Sequence, residues 1–195
     1  MRYAIYIFVI LFWGNSFSQD SALVKKVRHP SYRHFTFYGG VGYNYYFNSM
    51  QIGADGINPS NYAFLLKAMW EPEHRLSIGV ETGYIRMYQW QYPFRKNEYL
   101  ALFQIPLNTC FSMRLHKGLF TSFSFGSSIL HSYLNRNGNE VSTFQLTLAN
   151  INLGLGYKVK MGHRWSFVVE TNYLYLSKAN DMSMLFLTRL GYSIW

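Results

Sequence analysis

The chain has 195 residues, of which only 14% are charged and 19% aromatic, and its formal net charge is +9. An ordinary soluble domain carries roughly a quarter charged residues, and a bundle of membrane helices needs long apolar runs; a mean hydropathy of -0.07 alongside 17 Tyr and 16 Phe fits neither. The single cysteine, Cys110, excludes an intramolecular disulfide and a cysteine-built zinc site.

The first stretch, MRYAIYIFVILFWGNSFSQD, has one cation (Arg2), an apolar run Tyr3–Trp13, and then small polar residues. The run falls short of the roughly 20 residues that a spanning helix needs. With Ser16-Phe17-Ser18 it reads as a secretory signal over residues 1–18, cleaved before Gln19. Residues 19–33, including KKVRHPSYR, read as a flexible, basic, solvated lead-in. In an exported chain the basic balance points to anionic lipid head groups rather than to nucleic acid.

From Phe35 onward the chain alternates with a period of two, the signature of strands with two unlike faces. In FTFYGGVGYNYYF, Phe35, Phe37, Val41, Tyr43, Tyr45 and Phe47 oppose Thr36, Gly40, Gly42 and Asn44. Tyr62, Phe64, Leu66, Ala68 and Trp70 then alternate against Lys67. In LSIGVETGYIRMY, Leu76, Ile78, Val80 and Tyr84 oppose Ser77, Gly79, Glu81 and Gly83. Over 99–115, Phe103, Ile105, Leu107, Phe111 and Met113 stand against Gln104, Asn108 and Arg114.

The second half continues the pattern. Phe123, Phe125 and Ile129 oppose Ser122, Ser124, Gly126 and Ser128. The sixth run changes phase between Leu148 and Ile151, which predicts a bulge near Ala149-Asn150. Trp165, Phe167, Val169, Tyr173 and Tyr175 oppose Ser166, Glu170 and Asn172. In the last run Phe186, Leu190, Tyr192 and Ile194 share one face, which places Arg189 on the other.

The second face decides which side is which. Gly, Ser and Asn fit a narrow lumen and make a poor solvated surface, so the large aromatics face outward. Such a belt would aggregate a soluble monomer but suits lipid, and a closed barrel pairs every backbone group there. A soluble exported barrel holding an apolar ligand would need the opposite facing. Short connections (71–74, 116–118, 160–164) alternate with longer or turn-rich ones (48–61, 90–98, 135–140), as in outer-membrane barrels. Arg33-His34, His74-Arg75, His116-Lys117 and His163-Arg164 recur once per hairpin on the short side. Four hairpins make an all-β, eight-stranded, up-and-down antiparallel transmembrane barrel over residues 34–195.

An export signal, eight alternating strands and a terminal aromatic strand resemble the outer-membrane β-barrel domain proteins, OmpA-like transmembrane barrels in the wide sense. The likeness is one of pattern over Phe35–Trp195. The family places aromatics at alternate positions back from the final residue, whereas here Ser193, Gly191 and Arg189 occupy those positions before Trp195. The resemblance implies residence in the outer membrane, insertion by the barrel-assembly machinery and a monomer. It implies a non-enzymatic scaffold or surface role in envelope integrity, adhesion or recognition.

By parity the inward charges are Lys67, Glu81, Arg114, Glu170 and Arg189, which should pair. They fill the lumen with salt bridges or form a charged constriction in a small pore; the width of eight strands favours filling. Tyr45, Trp70, Tyr88, Trp90, Trp165 and Trp195 are expected in an interfacial girdle. Arg95, Lys96 and Arg136 on outer loops are candidates for lipopolysaccharide phosphates. The His-basic pairs spread around a rim and do not converge on a metal ion, and neither a metal nor a cofactor is expected. His131, Ser132 and Glu140 raise the alternative of a lipid A deacylase-like enzyme. Adjacent His and Ser lie on opposite faces of a strand, outside the hydrogen-bond reach that acyl transfer needs.

Overall fold

The computed structural model describes residues 34–47, 57–72, 75–91, 98–136, 139–176 and 181–194, all within the compact unit Ser31–Trp195. The segments read as signal (1–18) and lead-in (19–33), and Trp195, lie outside the described residues. Eight long strands form the barrel: β1 (His34–Phe47), β2 (Ser60–Glu71), β3 (Leu76–Gln91), β4 (Tyr99–His116), β5 (Leu119–Arg136), β6 (Asn139–Met161), β7 (Trp165–Leu176) and β8 (Asp181–Ile194). Each pairs antiparallel with its chain neighbours, and β1 pairs with β8 from Phe35–Ile194 to Phe47–Met182. The ring is closed. A two-residue piece, Ile57–Asn58, adds to the outer end of β3 opposite Trp90 and Gln89.

Alternation becomes geometry in the expected sense. Phe37 is 51% exposed, Phe125 47% and Phe167 39%, whereas Ser124 is 4% exposed and Glu170 2%. The outward rings form a continuous apolar belt over all eight strands, which water would penalise and hydrocarbon accepts. Every strand is flanked on both sides through the barrel wall, while the outer arm of β6, residues 139–149, pairs with β5 alone.

Three register shifts modify the period. Ala149 is the extra residue where Gly126 pairs with Asn150 but Ser127 pairs with Leu148, so the bulge read from the phase slip lies there. A second shift falls between Arg86 and Tyr88 on β3, and a third between Arg114 and His116 on β4. The β3–β4 ladder also lacks pairs at Gly83 and Tyr84, opposite Pro106, which has no N–H to donate.

The short connections 72–75, 117–118 and 162–164 share one rim with the start of β1 and the end of β8. In outer-membrane barrels that is the periplasmic rim. Lys117 adopts a positive φ of 45° to make the tight turn from β4 to β5.

Candidate functional site: a layered lumen

The strands deliver their inward residues in layers. At mid-height Lys67 (β2), Glu81 (β3), Glu170 (β7) and Arg189 (β8) meet. Arg189 Nη2 donates to Glu81 Oε2 at 2.7 Å, and its Nε lies 3.0 Å from Glu170 Oε2. Lys67 Nζ stands 3.8 Å from a carboxylate oxygen of each glutamate. Ser122 donates to Glu170 Oε1 at 2.6 Å. Two cations and two carboxylates cancel, which a buried cluster requires because an uncompensated charge out of water is costly. All four residues are buried, with Arg189 only 2% exposed.

Glycines make room for the quartet. A Cβ on Gly40 would stand 2.5 Å from Arg189 Cγ, and one on Gly154 would stand 2.0 Å from Asn172 Oδ1 and 2.1 Å from Ser122 Oγ. Beside the quartet runs a polar chain. Gln104 donates to Ser128 Oγ at 2.8 Å, and Asn150 Nδ2 donates to Ser128 Oγ at 2.9 Å and to Asn108 Oδ1 at 3.2 Å.

Toward the long-loop end the lumen is sealed by apolar side chains. Leu65, Ile85, Met87, Leu174, Leu176, Leu185 and Leu187 are each at most 2% exposed and pack as one cluster with Tyr46 and Leu130. Parity did not predict this layer. Doublets and triplets such as Leu65-Leu66 and Leu185-Phe186-Leu187 are apolar on both faces, so alternation is silent about their sides.

Two of the expected positions come out differently. Arg114 does face the lumen, but it is exposed at the short-turn mouth and takes no part in the buried quartet; parity assigns a face and not a depth. Tyr88 does not join an outer girdle. The shift at Met87 turns it inward, where it packs on the apolar seal with its ring centroid 5.0 Å from that of Tyr46. Trp90, on the same side two residues later, has a buried indole nitrogen. Tyr45, Trp70 and Trp165 are outward and exposed.

At the short-turn rim lies a cavity of about 530 Å³ whose floor includes Lys67, Glu170 and Arg189. At its wall Lys158 Nζ holds both oxygens of Glu71, at 2.9 and 2.7 Å, and contacts the Tyr38 hydroxyl at 2.6 Å. Tyr38 in turn donates to Glu71 Oε1. Lys158 and Lys160 are further inward charges, placed inside by the parity that restarts after the Ala149 bulge.

The enzymatic set does not assemble. His131 lies on the outer face, stacked between Phe103 and Phe144 with ring centroids 5.9 and 4.3 Å away. Ser132, its chain neighbour, is on the opposite face of β5. Among the described residues no group of three His, Cys, Asp or Glu side chains is placed to hold a metal ion.

No protein-family model matches the sequence, and no curated protein matches it. Solved structures match at the level of fold. The barrel is similar to Neisserial surface protein A, with a TM-score of 0.57 at 11% identity, covering 81% of this chain and 96% of that one. It is similar to Ail, the attachment invasion locus protein of Yersinia pestis, crystallised with the heparin analogue sucrose octasulfate: TM-score 0.57, 10% identity, 83% of this chain and 99% of that one. OprG from Pseudomonas aeruginosa gives a TM-score of 0.55 at 11% identity over 84% of this chain and 97% of that one. The fold is that of the small, closed outer-membrane β-barrels.

Proposed function

We propose that the chain is an integral outer-membrane protein that acts through its scaffold and outer loops in surface recognition, adhesion or envelope integrity, without catalysis. The observation that carries the reading is the combination of a lipid-facing belt with a lumen blocked at two levels. The ion quartet and the apolar cluster fill the lumen at two heights, which supports contacts made at the ends of the barrel over passage of solutes. The outward, aromatic-stacked position of His131 supports a non-catalytic reading over acyl transfer. Two similar barrels carry surface and attachment roles in their names, in line with this reading. Lipid phosphates are the proposed partners of the outer-loop cations Arg95, Lys96 and Arg136.

The test is replacement of 48–56 and 92–97 by short glycine-serine turns, in cells expressing the folded barrel. Loss of a binding or envelope phenotype with unchanged barrel folding supports the reading. A lipid A modification that depends on His131 or Ser132 contradicts it. A steady open state in planar bilayers contradicts the sealed lumen.

A further inference from the structure

The cavity at the short-turn rim has a charge balance unlike that of the lumen above it. Arg75, Arg114, Lys117 and Lys160 line it, and none of the four enters an ion pair among the described residues. Register explains their aim. Lys160 pairs with the buried Ser166 in the β6–β7 ladder, and Arg114 follows Asn108 and Cys110 on the inward side of β4. Arg114 and Lys160 therefore point into the barrel mouth and not sideways toward lipid head groups, and Arg75 and Lys117 line the same cavity beside the short turns. The carboxylate at that depth, Glu71, is already neutralised by Lys158.

The floor supplies a second, independent observation. Arg189 reaches it, and its Nη1 is buried with no hydrogen-bond partner among the described residues. Glu170 also reaches the floor, but its charge is matched by Lys67 and Arg189. A buried donor left unsatisfied is unfavourable, and an acceptor entering from the mouth would relieve it. Along the wall, Tyr38, Phe120 and Val168 add apolar and aromatic surface. The space, about 530 Å³, falls within the roughly 300–1,000 Å³ range of small-molecule sites.

We propose that this dead-end cup binds a small polyanion carrying two or more phosphate or carboxylate groups, entering from the short-turn side. Arg75, Arg114, Lys117 and Lys160 draw it in and hold its outer charges, and Arg189 Nη1 donates to the innermost oxygen. The apolar seal above the quartet stops it from crossing, so the cup is a receptor site and not a transport path. The proposal is independent of the surface role assigned to the outer loops.

The experiment titrates inorganic tripolyphosphate, by calorimetry, onto the mature barrel in phosphatidylcholine nanodiscs. Saturable binding that weakens with added salt is expected, falling on the order of tenfold or more in the Arg114→Gln/Lys160→Gln double variant as charge-assisted contacts are lost. Arg136→Gln, a cation at the opposite rim, is expected to bind as wild type. Heat-modifiable gel mobility reports that each variant is folded, and Lys117→Gln serves if the double variant is not. Competition with soluble glycerophosphoglycerol in the same phosphatidylcholine nanodiscs separates two sources of the same chemistry without changing the surface charge: displacement of tripolyphosphate assigns the cup to lipid head groups, no displacement to a soluble anion. Absence of saturable binding, full binding by folded Arg114→Gln/Lys160→Gln, or an equal loss in Arg136→Gln overturns the proposal.

Discussion

Gly40 on β1 sits opposite Arg189 on β8, and the guanidinium side chain crosses the space where a Cβ at position 40 would stand, 2.5 Å from Arg189 Cγ. The glycine is therefore part of the charge cluster although it carries no charge. Gly40→Ala forces Arg189 out of line with Glu81 and Glu170, and overpacking of this kind costs roughly 1–3 kcal/mol. Gly39→Ala is the control, because a Cβ there meets only Leu66 Cδ2 at an ordinary 3.8 Å. Urea unfolding in lipid should show a lowered midpoint for the first and none for the second.

The quartet is neutral as a unit, so its members are not independent. Glu81→Gln leaves Lys67 and Arg189 facing one carboxylate, and stability should drop by about 3–5 kcal/mol as one buried charge loses its partner. Adding Lys67→Met restores neutrality through the Arg189–Glu170 pair, whose atoms stand 3.0 Å apart in the unaltered barrel. The double variant is expected to unfold at a higher temperature than Glu81→Gln alone, read from heat-modifiable mobility. A double variant less stable than the single would show that Lys67 contributes through something other than charge balance.

Leu187 is 1% exposed and Leu185 0% exposed, both within the apolar seal. Leu187→Ala should destabilise the barrel by about 2–5 kcal/mol through lost burial and the cavity left behind. The same change made on the outer face, Leu190→Ala, removes a side chain that is 46% exposed and bathed in lipid. Its effect on the unfolding midpoint should be clearly smaller.

Cys110 is 1% exposed and packs among Tyr38, Met69 and Val168. A maleimide added to the folded barrel should leave it unmodified, and the same reagent in denaturant should label it fully. Rapid labelling of the folded protein would show water and reagent reaching far deeper into the barrel than this packing allows.

The fold was legible because lipid and lumen impose opposite demands on alternate residues. Where both demands act on every rung, as from Phe35 to Phe47, the facing follows from parity alone. Legibility failed at Met87, where one extra residue turned Tyr88 inward while the aromatics Tyr84, Tyr88 and Trp90 stayed on even positions, so the sequence shows no phase slip. It succeeded at Ala149, because there the apolar positions change from even to odd. Arg114 marks another limit: alternation reports which face a side chain takes, and nothing about how far along the barrel it lies. Lys158 and Lys160 were readable in principle, since parity counted from Ile151 puts both inside. The Tyr38–Glu71–Lys158 contact was not, because it joins three strands far apart in sequence, and the inter-strand register that brings them together is set by pairing.

The central claim is the facing of the barrel, and spin-label accessibility tests it most directly. In a Cys110→Ser background, labels at Phe37→Cys and Phe167→Cys should collide freely with oxygen dissolved in the bilayer and be shielded from a water-soluble nickel chelate. A label at Ser124→Cys should be shielded from both and strongly immobilised. Nickel access at positions 37 and 167, with oxygen access at 124, would mean the rings line the interior and would contradict the account.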